Sequence, residues 1–251
     1  MPDARRDSSS GLLLFRVAGI DVVAHPTWVI SLALLTSFAR VSIVPHLRPF
    51  DRGVAPWLLA LSFGLLITAC ILAHELCHCA VARAYGIPVR RVTMFVFGGV
   101  SQLGEPAPTP RAEFAIAMAG PLGSTIAAGV CAAVARALHP ATAGLAGAWG
   151  SFALVNGVLA LFNLVPAFPL DGGRLLRSAL WRLTGGRARA TRWASAISRA
   201  LAVGLVATGA AVFLADRQQG DPLGSAWIAL VGLFLYRAAG AAGRHEGGDE
   251  P

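Results

Sequence analysis

Residues 73–80 read AHELCHCA and follow an apolar run, PWLLALSFGLLITACIL, that carries no charge. Within them His74, Glu75 and His78 make the pattern H-E-x-x-H. On a helix, residues four apart share a face, so both imidazoles can turn toward one zinc ion. Glu75 falls about 100° round the helix from His74, where it reaches a metal-activated water rather than the metal. Zinc lowers the pKa of that water and the carboxylate takes its proton, giving a nucleophile for amide hydrolysis. The competing reading is a solvated polar face. Gly86 should end the helix, and counting back at ~1.5 Å per residue sets the histidines roughly 12–18 Å inside it. Ionisable groups that deep in a membrane segment are costly and are kept for a use.

Two histidines leave a catalytic zinc one protein ligand short. The segment LFNLVPAFPLDGGR, residues 161–174, offers the missing one in Asp171, the only acidic residue between Glu113 and Asp216. Pro166 and Pro169 break the helix ahead of it, and Gly172 and Gly173 free the backbone behind it. Irregular backbone at membrane depth is tolerated where it is buried in protein or lines a wet cavity, which a catalytic zinc requires. Alternatively, Asp171 caps a helix beginning at RLLRSALWRL. Asn163 can hydrogen-bond a substrate carbonyl, or satisfy the backbone freed by Pro166. Cys70, one turn before His74, could join the metal, but helical cysteine is usually a small packing residue; Cys77 and Cys79 flank His78. His25, His46 and His139 sit near span ends, and His245 in the C-terminal tail.

The elements that must carry these residues are membrane helices. The chain is 55% hydrophobic and 14% charged, well below the charge of a soluble domain. Apolar stretches at roughly 27–44, 56–84, 112–137, 146–165, 193–215 and 223–240 each approach the ~20 residues of a spanning helix. With the N-terminus in the cytoplasm, fifteen arginines fall in inside segments and five in outside segments. That is the positive-inside pattern for six spans with both termini cytoplasmic. It also reads the basic balance as topology rather than nucleic-acid binding. The second and fourth stretches run in the same direction, which brings both motifs to the cytoplasmic half of the bilayer. The expected architecture is an all-α polytopic membrane protein of about six transmembrane helices. Between helices 2 and 3, IPVRRVTMFVFGGVSQLGEP, with Gly98 and Gly99, predicts a short β-hairpin-like segment. Its edge could hold an unwound substrate by β-addition, or the stretch is a plain connection. Residues 1–251 read as one membrane-embedded domain, with 1–11 and 243–251 as disordered tails, no cleavable signal peptide and no disulfide framework.

With these residues in hand, the chain resembles the site-2 protease family of intramembrane zinc metalloproteases. The resemblance runs over nearly the whole chain: GIDVVAHPTW, AHELCH, FGGVSQL, AGPLGS and NLVPAFPLDGGR. It implies one zinc per chain held by His74, His78 and Asp171, with Glu75 as general base and Asn163 helping to hold substrate. It also implies hydrolysis within the transmembrane segment of a single-pass membrane protein, as in regulated intramembrane proteolysis, with an anti-sigma factor as candidate substrate. The stretch between Gly86 and Glu113 is too short for the PDZ domain of some members, and no paired CBS domains follow the last span. Ser124 stands where many members have asparagine and is given no role. The rival readings are a membrane metal-ion carrier, which needs a polar route the outer halves of the spans lack, a di-iron oxygenase, which needs more histidine boxes, and an inactive scaffold.

Overall fold

A computed structural model describes residues 11–46, 53–96, 98–138, 143–215 and 222–245. The chain opens with strands β1 (Leu12–Val17) and β2 (Ile20–Ala24), then helices α1 (Trp28–Ser42) and α2 (Ala55–Ala84). Strands β3 (Val89–Phe95) and β4 (Gly98–Leu103) precede α3 (Pro110–Ala137), α4 (Ala143–Asn163), α5 (Asp171–Thr184), α6 (Arg187–Ala215) and α7 (Pro222–His245). Among the described residues, four helical stretches, Ala55–Ala84, Pro110–Ala137, Gly144–Asn163 and Arg187–Leu214, are long and apolar enough to cross a membrane. These are the second to fifth predicted spans. The first and last are represented by the shorter apolar stretches Trp28–Ser42 and Ile228–Gly243. Residues 243–245, expected in a tail, are the last turn of α7. Gly11, also expected in a tail, is described next to β1, and residues 1–10 and 246–251 of the expected tails lie outside the described residues.

The all-α expectation is corrected by a four-stranded sheet in the order β1-β2-β3-β4. The predicted hairpin is present as antiparallel β3 and β4, with Phe95 opposite Gly98. A second, unpredicted hairpin precedes it: β1 and β2 pair antiparallel, and β2 pairs parallel with β3. Its turn residues Ala18 and Gly19 have φ of 47° and 75°, the positive pair that a two-residue hairpin turn requires. The cross-strand pair Arg16 and Asp21 closes it with a 2.6 Å ion pair, and that guanidinium draws the Asp21 carboxyl below its ordinary pKa. Ala-Gly is not one of the dipeptides that mark a two-residue hairpin turn, so the sequence carried no strong signal for it.

By its internal contacts the chain divides into two units, 1–106 with 122–160 and 107–121 with 161–251. The first holds the sheet, α1, α2 and most of α4, with a core of Ala39, Ile43, Val44, Ala60 and Phe63. There Phe63 stacks on Phe152 at 5.2 Å between ring centroids. Arg83, in the last turn of α2, fixes the helix end to the sheet by donating to the Val89 carbonyl at 2.9 Å and to the Ala18 carbonyl. The second unit holds α5, α6 and α7. Gly232 of α7 lies so close to α6 that a Cβ there would come within 2.8–2.9 Å of Val206 and the Ala202 carbonyl. Small residues permit that approach where no hydrophobic effect drives helices together.

Candidate metal centre

In the first unit, His74 and His78 lie one turn apart on α2 and are each 4% exposed. Their Nε2 atoms are 3.2 Å apart, with the rings edge to face at 79°. Two ligands of one tetrahedral zinc at ~2.0–2.1 Å lie about 3.3 Å from each other, so the pair fits the ion. Both imidazoles are buried on the helix face that the H-E-x-x-H spacing gives them.

What orients His74 was not legible in the motif. Ser124 of α3, 3% exposed, sets its Oγ 3.0 Å from His74 Nδ1. When Nδ1 carries the proton it donates to that oxygen, which leaves Nε2 as the ligand atom. The neighbouring Gly123 makes the approach possible, since a Cβ at 123 would sit 2.5 Å from the Cys77 sulfur. Thus AGPLGS, which carried no assigned role at Ser124, supplies both a gap and a hydroxyl.

Glu75 is half-buried, and its Oε2 accepts a 2.8 Å hydrogen bond from Ser101 on β4. Gly98 has φ of 128°, a conformation that favours glycine. Gly99 packs directly on Glu75: a Cβ there would lie 2.5 Å from the Glu75 Cγ. β4 is an edge of the sheet. Three of the four cysteines have a packing or hydrogen-bonding neighbour. Cys70 accepts from the Asn156 side-chain amide at 3.3 Å, Cys77 faces Gly123, and Cys79 donates to Ser101 at 3.2 Å. His25, just after β2, bonds Thr27 through Nδ1 at 2.8 Å. The side chains of His46, His139 and His245 lie outside the described residues.

In the second unit, α4 ends at Asn163, half-buried, and an irregular segment leads to α5. Within the unit, Phe168 donates its N–H to Ser198 Oγ of α6 at 3.1 Å, and Leu170 to the Ala167 carbonyl at 2.9 Å. Asp171 is the first residue of α5 and 8% exposed. The N-cap is Leu170, with no side-chain cap hydrogen bond, so the capping role weighed for Asp171 is not the one it occupies. The two glycines after it are required by space. A Cβ at Gly172 would collide with the carbonyls of Leu164 and Val165, and one at Gly173 would lie 2.6 Å from the Phe168 nitrogen. Lower on α5, Arg177 donates through Nε to Glu113 Oε1 at 2.8 Å and lies 5.4 Å over the Phe168 ring. Glu113 is 1% exposed, so this ion pair ties the start of α3 to the helix that begins with Asp171.

A family model described as peptidase family M50 matches residues 62–141 and 137–207. The Mycobacterium tuberculosis protein Rip3 is 40% identical over 230 residues, 90% of this chain and 57% of that protein. Zinc metalloprotease MJ0392 of Methanocaldococcus jannaschii is 31% identical over 191 residues, 76% of this chain and 51% of its own. The solved site-2 protease from Methanocaldococcus jannaschii is 26% identical, with a TM-score of 0.62, covering 93% of this chain and 95% of that one. The chain therefore spans about half the length of the curated relatives it matches.

Proposed function

Because the chain belongs to peptidase family M50, we propose that it is a zinc metalloendopeptidase that cuts peptide bonds inside the transmembrane segments of other membrane proteins. The observation that carries this reading is the buried His74–His78 pair, Nε2 to Nε2 at 3.2 Å, with Glu75 beside it on a helix apolar enough to span a bilayer. His74, His78 and Asp171 would hold one zinc, each offering one ligand atom. Bound zinc supplies Lewis-acid activation of water and of the scissile carbonyl. Glu75 takes the proton of the attacking water and delivers it to the departing amine nitrogen. Asn163 and the β4 edge at Gly98 and Gly99 hold the substrate extended. The arginine distribution supports cytoplasmic termini and a site in the cytoplasmic half of the bilayer. A site carried on membrane helices favours a single-pass substrate, such as an anti-sigma factor, over a folded soluble one.

The test is cleavage of a reporter transmembrane segment by the purified chain in detergent. Cutting within the span is expected, along with its loss to a zinc chelator and its return with added zinc. A metal-ion carrier would bind zinc and leave the reporter whole, and so would an inactive scaffold.

Ser124→Ala is expected to weaken zinc binding about 10- to 100-fold, because His74 loses the group that fixes its ring and tautomer. Competition with a chromophoric chelator measures it. Unchanged affinity would leave Ser124 as a helix-packing residue.

A further inference from the structure

Gly99 and Ser101 are two apart on β4 and so present the same face of the strand. That face meets Glu75 twice: through the close approach at Gly99 and through the hydrogen bond from Ser101. Val100, between them, is half exposed on the other face. We infer that Ser101 is a positioning residue for the general base, holding the Glu75 carboxylate in one orientation beside the metal ligands while Gly99 leaves room for it. The inference rests on the reading of Glu75 as the base.

A serine hydroxyl has one proton to give. Cys79, fully buried one turn after Glu75 on α2, donates its thiol to Ser101 Oγ at 3.2 Å. With one lone pair so occupied, the Ser101 proton is directed to Glu75 Oε2 at 2.8 Å. Glu75 and Cys79 therefore bracket Ser101 from a single helix face. This also accounts for a cysteine next to a metal ligand without making it one. A glutamate side chain has several rotatable bonds, and one lying beside a bound cation can swing in to ligate it. A hydrogen bond from the strand on one side and the close backbone of Gly99 on another restrict that freedom, so that the carboxylate stays where it handles protons. The strand proposed to hold substrate would then also fix the base, which couples the two placements through one rigid element.

The experiment compares full-length wild type with Ser101→Ala, Ser101→Thr, Gly99→Ala and Glu75→Gln, each assayed for zinc per chain and for steady-state cleavage of the reporter segment. Ser101→Ala is expected to lower kcat about 10- to 100-fold with KM and zinc content unchanged. Ser101→Thr, which keeps the hydroxyl and suits a strand, is expected to restore most of that loss. Gly99→Ala is expected to lower kcat with zinc retained, since its methyl displaces the same carboxylate. In metal-free protein, the infrared carboxylate bands of Glu75, isolated by subtracting the Glu75→Gln spectrum, should shift in Ser101→Ala and not in Ser101→Thr. Wild-type kcat in Ser101→Ala, no rescue by threonine, or unshifted bands would overturn the inference. The reading beneath it fails separately, if Glu75→Gln itself cleaves at the wild-type rate.

Discussion

Glu75→Gln is expected to abolish cleavage while the protein still binds one zinc. Glutamine keeps the length of the side chain and an oxygen to accept from Ser101, so the packing against Gly99 and β4 survives. What it loses is the capacity to take a proton, a contribution of about 10²–10⁴-fold in general acid–base catalysis. The imidazoles of His74 and His78 are untouched, and their Nε2 atoms remain apposed. Zinc content by atomic absorption and reporter cleavage, measured on the same preparation, separate the two functions. Full activity at normal zinc content would remove Glu75 from the mechanism. The same variant should retain an uncut substrate, because binding needs no proton transfer. Capture in mild detergent followed by mass spectrometry then asks whether single-pass membrane proteins that wild type cuts are the ones enriched.

Asp171→Ala is expected to lose both zinc and activity. The local structure makes this variant informative, because the ordinary reasons for an aspartate at a helix start have been narrowed. Leu170, not Asp171, occupies the N-cap, so loss of a side-chain cap, which would cost ~1 kcal/mol, is not at stake. A carboxylate in the first turn still complements the helix dipole, worth up to about 2 kcal/mol at a largely buried site such as this one. Neither effect would strip a metal. Removing one of three protein ligands would, since a catalytic zinc site depends on all three. Zinc content that stays at the wild-type level in folded Asp171→Ala would take the carboxylate out of the donor set. The donor set would then have to be completed by another residue.

The sequence by itself determined which residues could do chemistry and which segments are helical and apolar. His74, Glu75 and His78 could be named because helical periodicity relates them, and four of the expected spans were legible because twenty apolar residues in a row have few other uses. The break before Asp171 was legible for a similar reason: Pro166, Pro169, Gly172 and Gly173 act on their own backbone. The tertiary structure decided what depends on residues distant in the chain. Ser124 is fifty positions from His74, and Ser101 twenty-six from Glu75, and no local period links a hydroxyl to an imidazole or carboxylate that far away. The glycines divide along the same line. Nothing in FGG or AGPLGS says which neighbour forbids a Cβ, and only the packing shows it to be the Glu75 side chain at Gly99 and the Cys77 sulfur at Gly123. The first hairpin belongs with them. Its five-residue strand β2 is held by pairing with β3, some seventy residues later, and strand pairing is a non-local interaction that a short apolar run cannot announce on its own.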